Sequence, residues 1–277
     1  MQLRCGSKLL SLVQPCVMGV LNITPDSFSD GGRFLDPAIA VDNAVRMVEE
    51  GAVIIDVGGE STRPGAAPVA IDEELRRVIP VIERLSPKLG VVISIDTRRP
   101  KVMRAALSAG AELVNDINAL QDMDAMHAVA NTDAGVCLMH MQGDPLSMQQ
   151  APEYGNVVTE VRDFLTERVA ACEAAGIARE RIAVDPGIGF GKTPEHNLRL
   201  IANLHDYIWL GRPVVIGVSR KSTVGRITGR PVDGRLAGSV ALATLAAWNG
   251  AAIIRAHDVA ATVDAMKTVA ALRGVSS

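Results

Sequence analysis

The hydrophobic positions of the chain fall into short, Val- and Ile-rich runs that alternate with longer amphipathic stretches. Strands that are apolar at nearly every position are typical of a parallel sheet that helices cover on both faces. The pattern therefore predicts eight buried parallel strands. They are expected at residues 16–23, 52–57, 91–96, 111–116, 135–140, 181–186, 213–219 and 251–257.

The stretches between these runs have the apolar spacing of helices. Residues 36–51, 71–85 and 98–110 are examples, and the first and last of them end at a glycine, a common residue just beyond a helix. Eight strand–helix units fit one (β/α)₈ TIM barrel, which typically takes about 250 residues. We therefore predict a single domain over residues 1–277, with its core at about 16–273. An open doubly wound sheet is the alternative.

The polar residues at the ends of these runs are the first candidates for chemistry, because active sites of TIM barrels lie at the carboxyl ends of the strands. Asn and Asp at such positions also form turns or cap helices, whereas Lys, Arg and His are not turn formers. Carboxylates opposite cations favour a ligand with hydrogen-bond donors at one end and an anion at the other. The candidates are Asn22, Asp56, Asp96, Asn115, Asp116, His140, Asp185, Ser219, Lys221, Arg255 and His257.

Composition narrows the class of partner. A net charge of −3, a pI near 6.0 and only 3% aromatic residues argue against nucleic acid. We find neither a signal peptide nor an uninterrupted apolar span of about 18 residues, so a cytoplasmic location, small-molecule partners and no membrane are expected. The four cysteines lack metal-site spacing, which predicts reduced thiols.

Two glycine-rich segments leave a structural and a functional interpretation open. DPGIGFGKT, at 185–193, is not a phosphate loop because Pro186 stands where that motif requires Gly. It is either a tight strand–helix turn or a turn that brings Phe190 close to whatever Asp185 binds. DVGGESTRPGA, at 56–66, is either a surface loop or a segment that projects a hydroxyl and a guanidinium over the barrel.

Two cationic segments follow the last two predicted strands. In GVSRKSTVG, at 217–225, either a solvated Arg–Lys pair or a ligand-facing Lys221 fits the pattern, and we favour the second. Arg255 and His257 lie on the same side of an extended strand end, since side chains alternate with period two. They predict an anion clamp, with a structural ion pair of Arg255 as the alternative.

Taken together, the motifs closely resemble those of the dihydropteroate synthases, the pterin-binding barrel enzymes of bacterial folate synthesis. The resemblance extends from Asn22 to Asp258 with the motifs in the same order, so it covers nearly the whole chain. The segments are LNITPDSFSDGG, DVGGESTRPGA, SIDT, LVNDI, LMHMQGDP, DPGIGFGKT, GVSRKS and RAHD.

The resemblance implies a reaction and a cofactor. In this family, 6-hydroxymethyl-7,8-dihydropterin diphosphate and p-aminobenzoate give 7,8-dihydropteroate and pyrophosphate with Mg²⁺, and sulfonamides compete with p-aminobenzoate. The resemblance also implies a homodimer. The helix predicted at 235–250, apolar nearly all round, is a candidate for the subunit contact, and a helix buried against the barrel is the alternative.

The same resemblance implies roles for individual residues. Catalytic roles fall on Arg255, His257, Asp96 and Lys221, and Asn22 is the expected magnesium ligand. The pterin pocket is expected to consist of Asp96, Asn115, Asp185 and Lys221, with Arg255 stacked on the ring. The anion site is expected at Arg63, Arg255 and His257, and the p-aminobenzoate side at Thr62, Pro64, Phe28, Phe190 and Ser219.

Residues 24–34 follow the predicted magnesium ligand and are interpreted as a lid. Gly31 and Gly32 suggest a hinge, Pro25 a fixed bend, and Phe28 an apolar surface for an arylamine ring.

Three other functions compete with this interpretation. Methyltransferases that move a methyl group from tetrahydrofolate to a corrinoid share the pterin-facing residues but need no diphosphate clamp. A barrel that binds pterin or phosphate without catalysis is the second alternative. A phosphosugar enzyme is the third, and it would place a Gly-rich helix N-terminus where this chain has Lys and Arg.

Overall fold

A computed structural model describes residues 1–23, 37–61, 68–208 and 210–276. The strands are β1 (Gln2–Cys5), β2 (Lys8–Ser11), β3 (Cys16–Asn22), β4 (Ile54–Gly58), β5 (Val92–Asp96), β6 (Leu113–Asp116), β7 (Gly135–Met139), β8 (Ile182–Asp185), β9 (Val215–Gly217) and β10 (Ile253–Ala256). The helices are α1 (Pro37–Glu49), α2 (Ile71–Leu85), α3 (Pro100–Ser108), α4 (Met123–Ala130), α5 (Val157–Ala174), α6 (Pro194–Ala202), α7 (His205–Ile208), α8 (Ser222–Thr228), α9 (Leu236–Trp248) and α10 (Val259–Ser276).

Strands β3 to β10 form a parallel barrel, which confirms the predicted fold class. The eight-stranded sheet has the order β8-β7-β6-β5-β4-β3-β10-β9. A parallel bridge between Val184 and Val214 joins its two ends, and the Val184 amide donates to the Pro213 carbonyl at 2.9 Å. The alternative of an open doubly wound sheet is therefore wrong.

The core has two layers because the strands are buried on both faces. The larger layer lies between the sheet and the helices and includes Ile55, Val81, Ile95 and Val136. Helix α2 illustrates its origin, since Val78, Val81, Ile82 and Leu85 recur at helical spacing and are all buried. This layer holds each strand in place and so fixes where its carboxyl end lies.

The second layer closes the amino-terminal end of the barrel, and the sequence patterns did not predict the hairpin that completes it. Strands β1 and β2 pair antiparallel, and Leu3 and Cys5 point inward from β1. Together with Leu12, they pack against inward-facing strand residues such as Met18 and Ile54. We call Leu3, Cys5 and Leu12 the floor, and the opposite end, where the strands finish, the mouth.

Helix α9 matches both interpretations of the segment at 235–250. Its Ser239, Ala243, Ala246 and Ala247 are buried, whereas Leu236, Leu245 and Trp248 are exposed. One side of the helix therefore packs on the barrel, and the opposite side presents Leu245 and Trp248 outward. None of the described helices has the length and apolar character needed to cross a membrane.

Candidate active site

The strand register brings the predicted site residues at the ends of β3, β5 and β6 to one level of the mouth. Asn22 is paired with Gly58, Gly58 with Asp96, and Asp96 with Asn115. A Cβ atom added to Gly58 would lie 3.7 Å from Asn22 Oδ1 and 3.7 Å from Asp96 Oδ2. The amide oxygen of Asn22 and the carboxylate of Asp96 therefore border the same glycine.

Arg255, at the end of β10, is held by two carboxylates. Its Nε donates to Asp56 Oδ2 at 2.6 Å and its Nη2 donates to Asp96 Oδ2 at 2.7 Å. Asn115 Nδ2 donates to the same oxygen of Asp56 at 3.1 Å. Asp56 is completely buried, and our list of predicted binding residues omitted it. It was visible as a strand-end carboxylate, but its sequence context did not distinguish it from a turn former.

The charges of this cluster alter one another. Burial raises the pKa of Asp96 to about 7, with Arg255 opposing the shift and the Asp56 carboxylate adding to it. Burial also disfavours the Arg255 cation, but the attraction of Asp56 and Asp96 outweighs that effect and raises the pKa of the guanidinium. Arg255 is therefore always charged, whereas Asp96 can change protonation state near neutral pH.

Two oxygens in the cluster have no hydrogen-bond donor within the described chain. They are Asp56 Oδ1 and Asp96 Oδ1, and both are buried. A buried polar atom without a partner is costly and uncommon in proteins. Because the two oxygens lie at the mouth, they are the natural acceptors for N–H groups of a bound ligand.

Asp185, Lys221 and Phe190 form a second group at the mouth. Asp185 ends β8 and accepts from the Gly187 amide at 2.7 Å, while Lys221 Nζ donates to the Ile188 carbonyl. The Lys221 ammonium lies 4.7 Å from the centre of the Phe190 ring, within cation–π range. This arrangement places a carboxylate, an ammonium and an aromatic ring side by side.

Burial also shifts the two charges of this second group. Burial raises the pKa of Asp185, and the nearby Lys221 cation is the strongest influence that opposes this increase. Burial lowers the pKa of Lys221 to about 8, with the Asp185 charge opposing the change. Because the protein already keeps water away from both charges, a ligand that hydrogen-bonds to them costs little further desolvation.

Ser219 and His257 meet between the ends of β9 and β10. Ser219 Oγ accepts from the His257 amide at 3.2 Å and lies 3.0 Å from His257 Nδ1. The next residue, Arg220, has a φ of 58°, which is unusual for a side chain with a Cβ. Its amide donates to Ser239 Oγ and its guanidinium pairs with Asp258, so the strained turn before Lys221 is held on both sides.

Four of the predicted binding residues lie outside the described residues. They are Phe28, Thr62, Arg63 and Pro64, and the predicted lid at 24–34 lies there as well. The other nine predicted residues all lie at or just beyond the carboxyl ends of barrel strands. Of these nine, Asn22 and Asp96 flank Gly58, and Asp96 and Asn115 both contact the Arg255–Asp56 pair.

Comparison with known proteins gives a consistent result. The model of the family described as pterin binding enzyme matches residues 18–257. A dihydropteroate synthase of Escherichia coli is 49% identical over 271 residues, which is 98% of this chain and 96% of the relative.

Two solved structures share the fold over almost their full length. A dihydropteroate synthase from Xanthomonas albilineans in complex with 7,8-dihydropteroate has a TM-score of 0.90 and 47% identity, covering 99% of both chains. A Yersinia pestis dihydropteroate synthase in a sulfonamide drug complex has a TM-score of 0.94 and 46% identity, covering 99% of this chain and 100% of the other.

Proposed function

The chain belongs to the pterin binding enzymes and, within them, to the dihydropteroate synthases, and on this premise we propose how its residues carry out the reaction. The enzyme is a transferase that joins 6-hydroxymethyl-7,8-dihydropterin diphosphate to p-aminobenzoate, giving 7,8-dihydropteroate and pyrophosphate. The predicted family is confirmed, and the methyltransferase, non-catalytic and phosphosugar alternatives are set aside because relatives near half identical over the whole chain are synthases.

The observation that carries the assignment of residues is the pair of buried, unpartnered oxygens on Asp56 and Asp96. A pterin edge presents an amine, a ring N–H and a carbonyl, so it needs both acceptors and donors. Asp96, Asn115 and Asp185 supply acceptors, and Lys221 supplies donors to the ring's own acceptors. We assign the pterin pocket to these residues and add Asp56 to it.

Arg255 contacts the carboxylates of this pocket and also offers N–H groups to the diphosphate. Its guanidinium donates two of its five N–H groups to Asp56 and Asp96, which leaves others for the diphosphate. Because the two carboxylates fix the plane of the guanidinium, the cation is oriented before the substrate arrives. His257, held by Ser219, completes the anion site, and we assign Arg63 to it as a second guanidinium.

The residues present at the mouth also fit a magnesium ion. Mg²⁺ prefers oxygen ligands and keeps several waters, so one protein oxygen together with a diphosphate suffices. Asn22 Oδ1 lies beside Gly58 and next to the Asp96 carboxylate at the mouth, and we assign it as the protein ligand. When bound, the ion would neutralise charge on the departing pyrophosphate.

The chemical step is a substitution at the methylene carbon of the pterin. The C–O bond to diphosphate breaks and its electron pair leaves with pyrophosphate, while the dihydropterin ring delocalises the positive charge. The neutral amine of p-aminobenzoate then forms the C–N bond and gives up a proton to solvent. Arg255 and His257 stabilise the leaving anion where its charge grows, and no general base is required.

We assign the acceptor side to Phe190, which lies beside Lys221, and to Ser219, which lies beside His257. Phe28, Thr62 and Pro64 are assigned to the same side. Residues 24–34 are proposed to cover the site so that water does not capture the cation. Sulfonamides, which target this enzyme class, should bind on this acceptor side.

A direct assay tests the function. Purified protein is mixed with the dihydropterin diphosphate, p-aminobenzoate and Mg²⁺, and dihydropteroate is quantified against an enzyme-free control. We expect product that depends on both substrates, and sulfonamide inhibition that weakens as p-aminobenzoate is raised. Product no greater than in the control would refute the function, and inhibition insensitive to p-aminobenzoate would refute the acceptor site.

The assembly and location of the enzyme are further proposals. We propose a homodimer whose contact includes the exposed Leu245 and Trp248 of α9, because two large apolar side chains on the outer side of one helix favour burial against a second copy. Sedimentation of wild type and Trp248→Glu would test this contact, and a wild-type monomer would contradict it. A cytoplasmic location and a single domain over 1–277 remain predictions from the sequence.

A further inference from the structure

The turn that carries Phe190 has an unusual set of hydrogen bonds. Every carbonyl from Gly187 to Gly191 accepts a bond from a donor of the protein. The donors, in order along the turn, are the Phe190 amide, Lys221 Nζ, Gln149 Nε2, Lys192 Nζ and the Tyr154 hydroxyl. Four of these five donors are side chains, so the conformation of the turn depends on residues around it.

The turn also packs closely on the chain that follows β7. A Cβ atom added to Gly187 would lie 1.9 Å from the His140 carbonyl, and one added to Gly191 would lie 2.3 Å from the Gln142 carbonyl. Both glycines have positive φ, at 71° and 61°. The two backbone segments can therefore touch only because these positions lack side chains.

Lys192 lies directly behind this contact. Its side chain is 2% exposed, and its Nζ lies 2.9 Å from His140 Nδ1, 2.9 Å from the Phe190 carbonyl and 3.3 Å from the His140 carbonyl. No carboxylate in the described part of the chain forms an ion pair with it. Three acceptors match the three N–H donors of an ammonium, and they belong to the two segments that touch.

The charge of Asp185 favours the Lys192 cation but forms no ion pair with it, so the buried ammonium still needs a physical reason, because desolvating it is expensive. A methionine of similar length would fill the space without that cost, but it would leave the carbonyls of Phe190 and His140 without these donors. Burial lowers the pKa of Lys192, and burial together with the Lys192 cation lowers the pKa of His140 to about 3. The imidazole is therefore neutral, and in the tautomer protonated at Nε2 its Nδ1 accepts from the ammonium.

We propose that Lys192 is a positioning residue that ties the turn at 187–191 to the end of β7 and thereby fixes Phe190 and Lys221 at the mouth. The link to Lys221 is direct, since that ammonium donates to the Ile188 carbonyl of the same turn. The inference rests on the proposed function, in which Phe190 contacts the acceptor and Lys221 contacts the pterin. Lys192 itself contacts neither substrate.

The test compares two lysine-to-methionine variants at opposite ends of the barrel. Lys192→Met removes the tie, while Lys8→Met removes a lysine that bonds the Val91 carbonyl and Glu112 near the floor. For protein that circular dichroism shows to be folded, we measure the KM for p-aminobenzoate and, by calorimetry, the Kd for the dihydropterin diphosphate. Lys192→Met should raise both by about tenfold, as expected for hydrogen bonds from a charged group. Lys8→Met should leave both within about twofold of wild type.

Two further variants keep the proposal falsifiable. Lys192→Gln keeps N–H donors without the charge, so its KM should lie between those of wild type and Lys192→Met. A purely space-filling role of Lys192 predicts no such recovery. If neither folds, Tyr154→Phe removes the donor to the Gly191 carbonyl alone and should raise the KM about threefold. The proposal would be overturned if Lys192→Met folds and has the KM and Kd of wild type. It would also be overturned if the lysine variants do not fold and Tyr154→Phe has the KM of wild type.

The assay also separates this proposal from the proposed function. If wild type binds the dihydropterin diphosphate but forms no product, the function fails, while the Kd of each variant still decides the role of Lys192.

Discussion

The mouth and the floor of the barrel are built from the same strands and differ in almost every physical respect. At the floor, Leu3, Cys5 and Leu12 pack against inward-facing apolar side chains, and the hairpin excludes water. At the mouth, Asp56 and Asp96 keep buried oxygens without donors, and burial shifts the pKa of Asp96 and of Lys221. The apolar side chains of the floor need no hydrogen-bond partners, whereas the carboxylates of the mouth keep acceptor oxygens available for a ligand. The floor is therefore expected to contribute to stability alone, whereas the mouth is expected to contribute to function as well.

The largest effect that tests this separation is expected at Arg255. Arg255→Met leaves the Asp56 and Asp96 carboxylates buried without their cation, which typically costs about 3–5 kcal/mol when one partner of a buried pair is removed. We expect turnover to become undetectable and the free energy of unfolding to fall by that order, as measured by the synthase assay and urea denaturation.

The matched control is the same substitution near the floor. Arg4 is 46% exposed and lies 4.0 Å from Glu180, so Arg4→Met should cost about 0–1 kcal/mol and leave turnover unchanged. Equal losses at the two positions would show that the mouth holds no special electrostatic arrangement.

Substitutions at the floor should lower stability without changing the KM values. Leu3 is completely buried, and Leu3→Ala should lower the free energy of unfolding by about 2–5 kcal/mol through lost burial and a cavity. The KM values of the folded protein should not change, because the hairpin lies far from the substrates. Leu9→Ala, on the exposed side of the same hairpin, serves as the control and should be nearly neutral. A rise in KM with Leu3→Ala would contradict the separation.

The last effect is a pH dependence at the mouth. The pKa of Asp96 in the folded protein is about 7, well above the usual range of an aspartate, so the native state holds the proton more tightly than the unfolded chain. The stability that this proton contributes is complete below the unfolded pKa and is lost as the pH rises to about 7. Asp96→Asn should therefore gain stability relative to wild type between about pH 4 and pH 7, measured by urea denaturation at both ends. A pH-independent difference would show that Asp96 stays ionised.

The sequence predicted the mouth far better than the floor. Fully apolar strands and polar strand ends are local signals, and the barrel topology turns them into a common location, as for Asp96, Asn115 and Asp185. The hairpin gave too short a signal, since β1 has only two inward positions, Leu3 and Cys5.

The sequence also did not allow us to predict which side chains pair with one another. Arg255 and Asp56 are 199 positions apart, and nothing local indicates which carboxylate a strand-end arginine contacts. Lys192 belonged to a predicted turn, but a lysine is usually exposed, so its burial could not be read from its neighbours.

The bridge between Val184 and Val214 gives the barrel a thin seam, because β8 and β9 share little regular ladder. Asp185 follows one side of that seam and Lys221 follows the other. A ligand that hydrogen-bonds to both residues bridges the seam, and its binding free energy adds to the stability of the whole barrel. Substrate binding then also determines how firmly the two ends of the sheet are held together. We expect the enzyme with bound substrate to melt at a higher temperature than the free protein, and the backbone amides along β8 and β9 to exchange their protons more slowly.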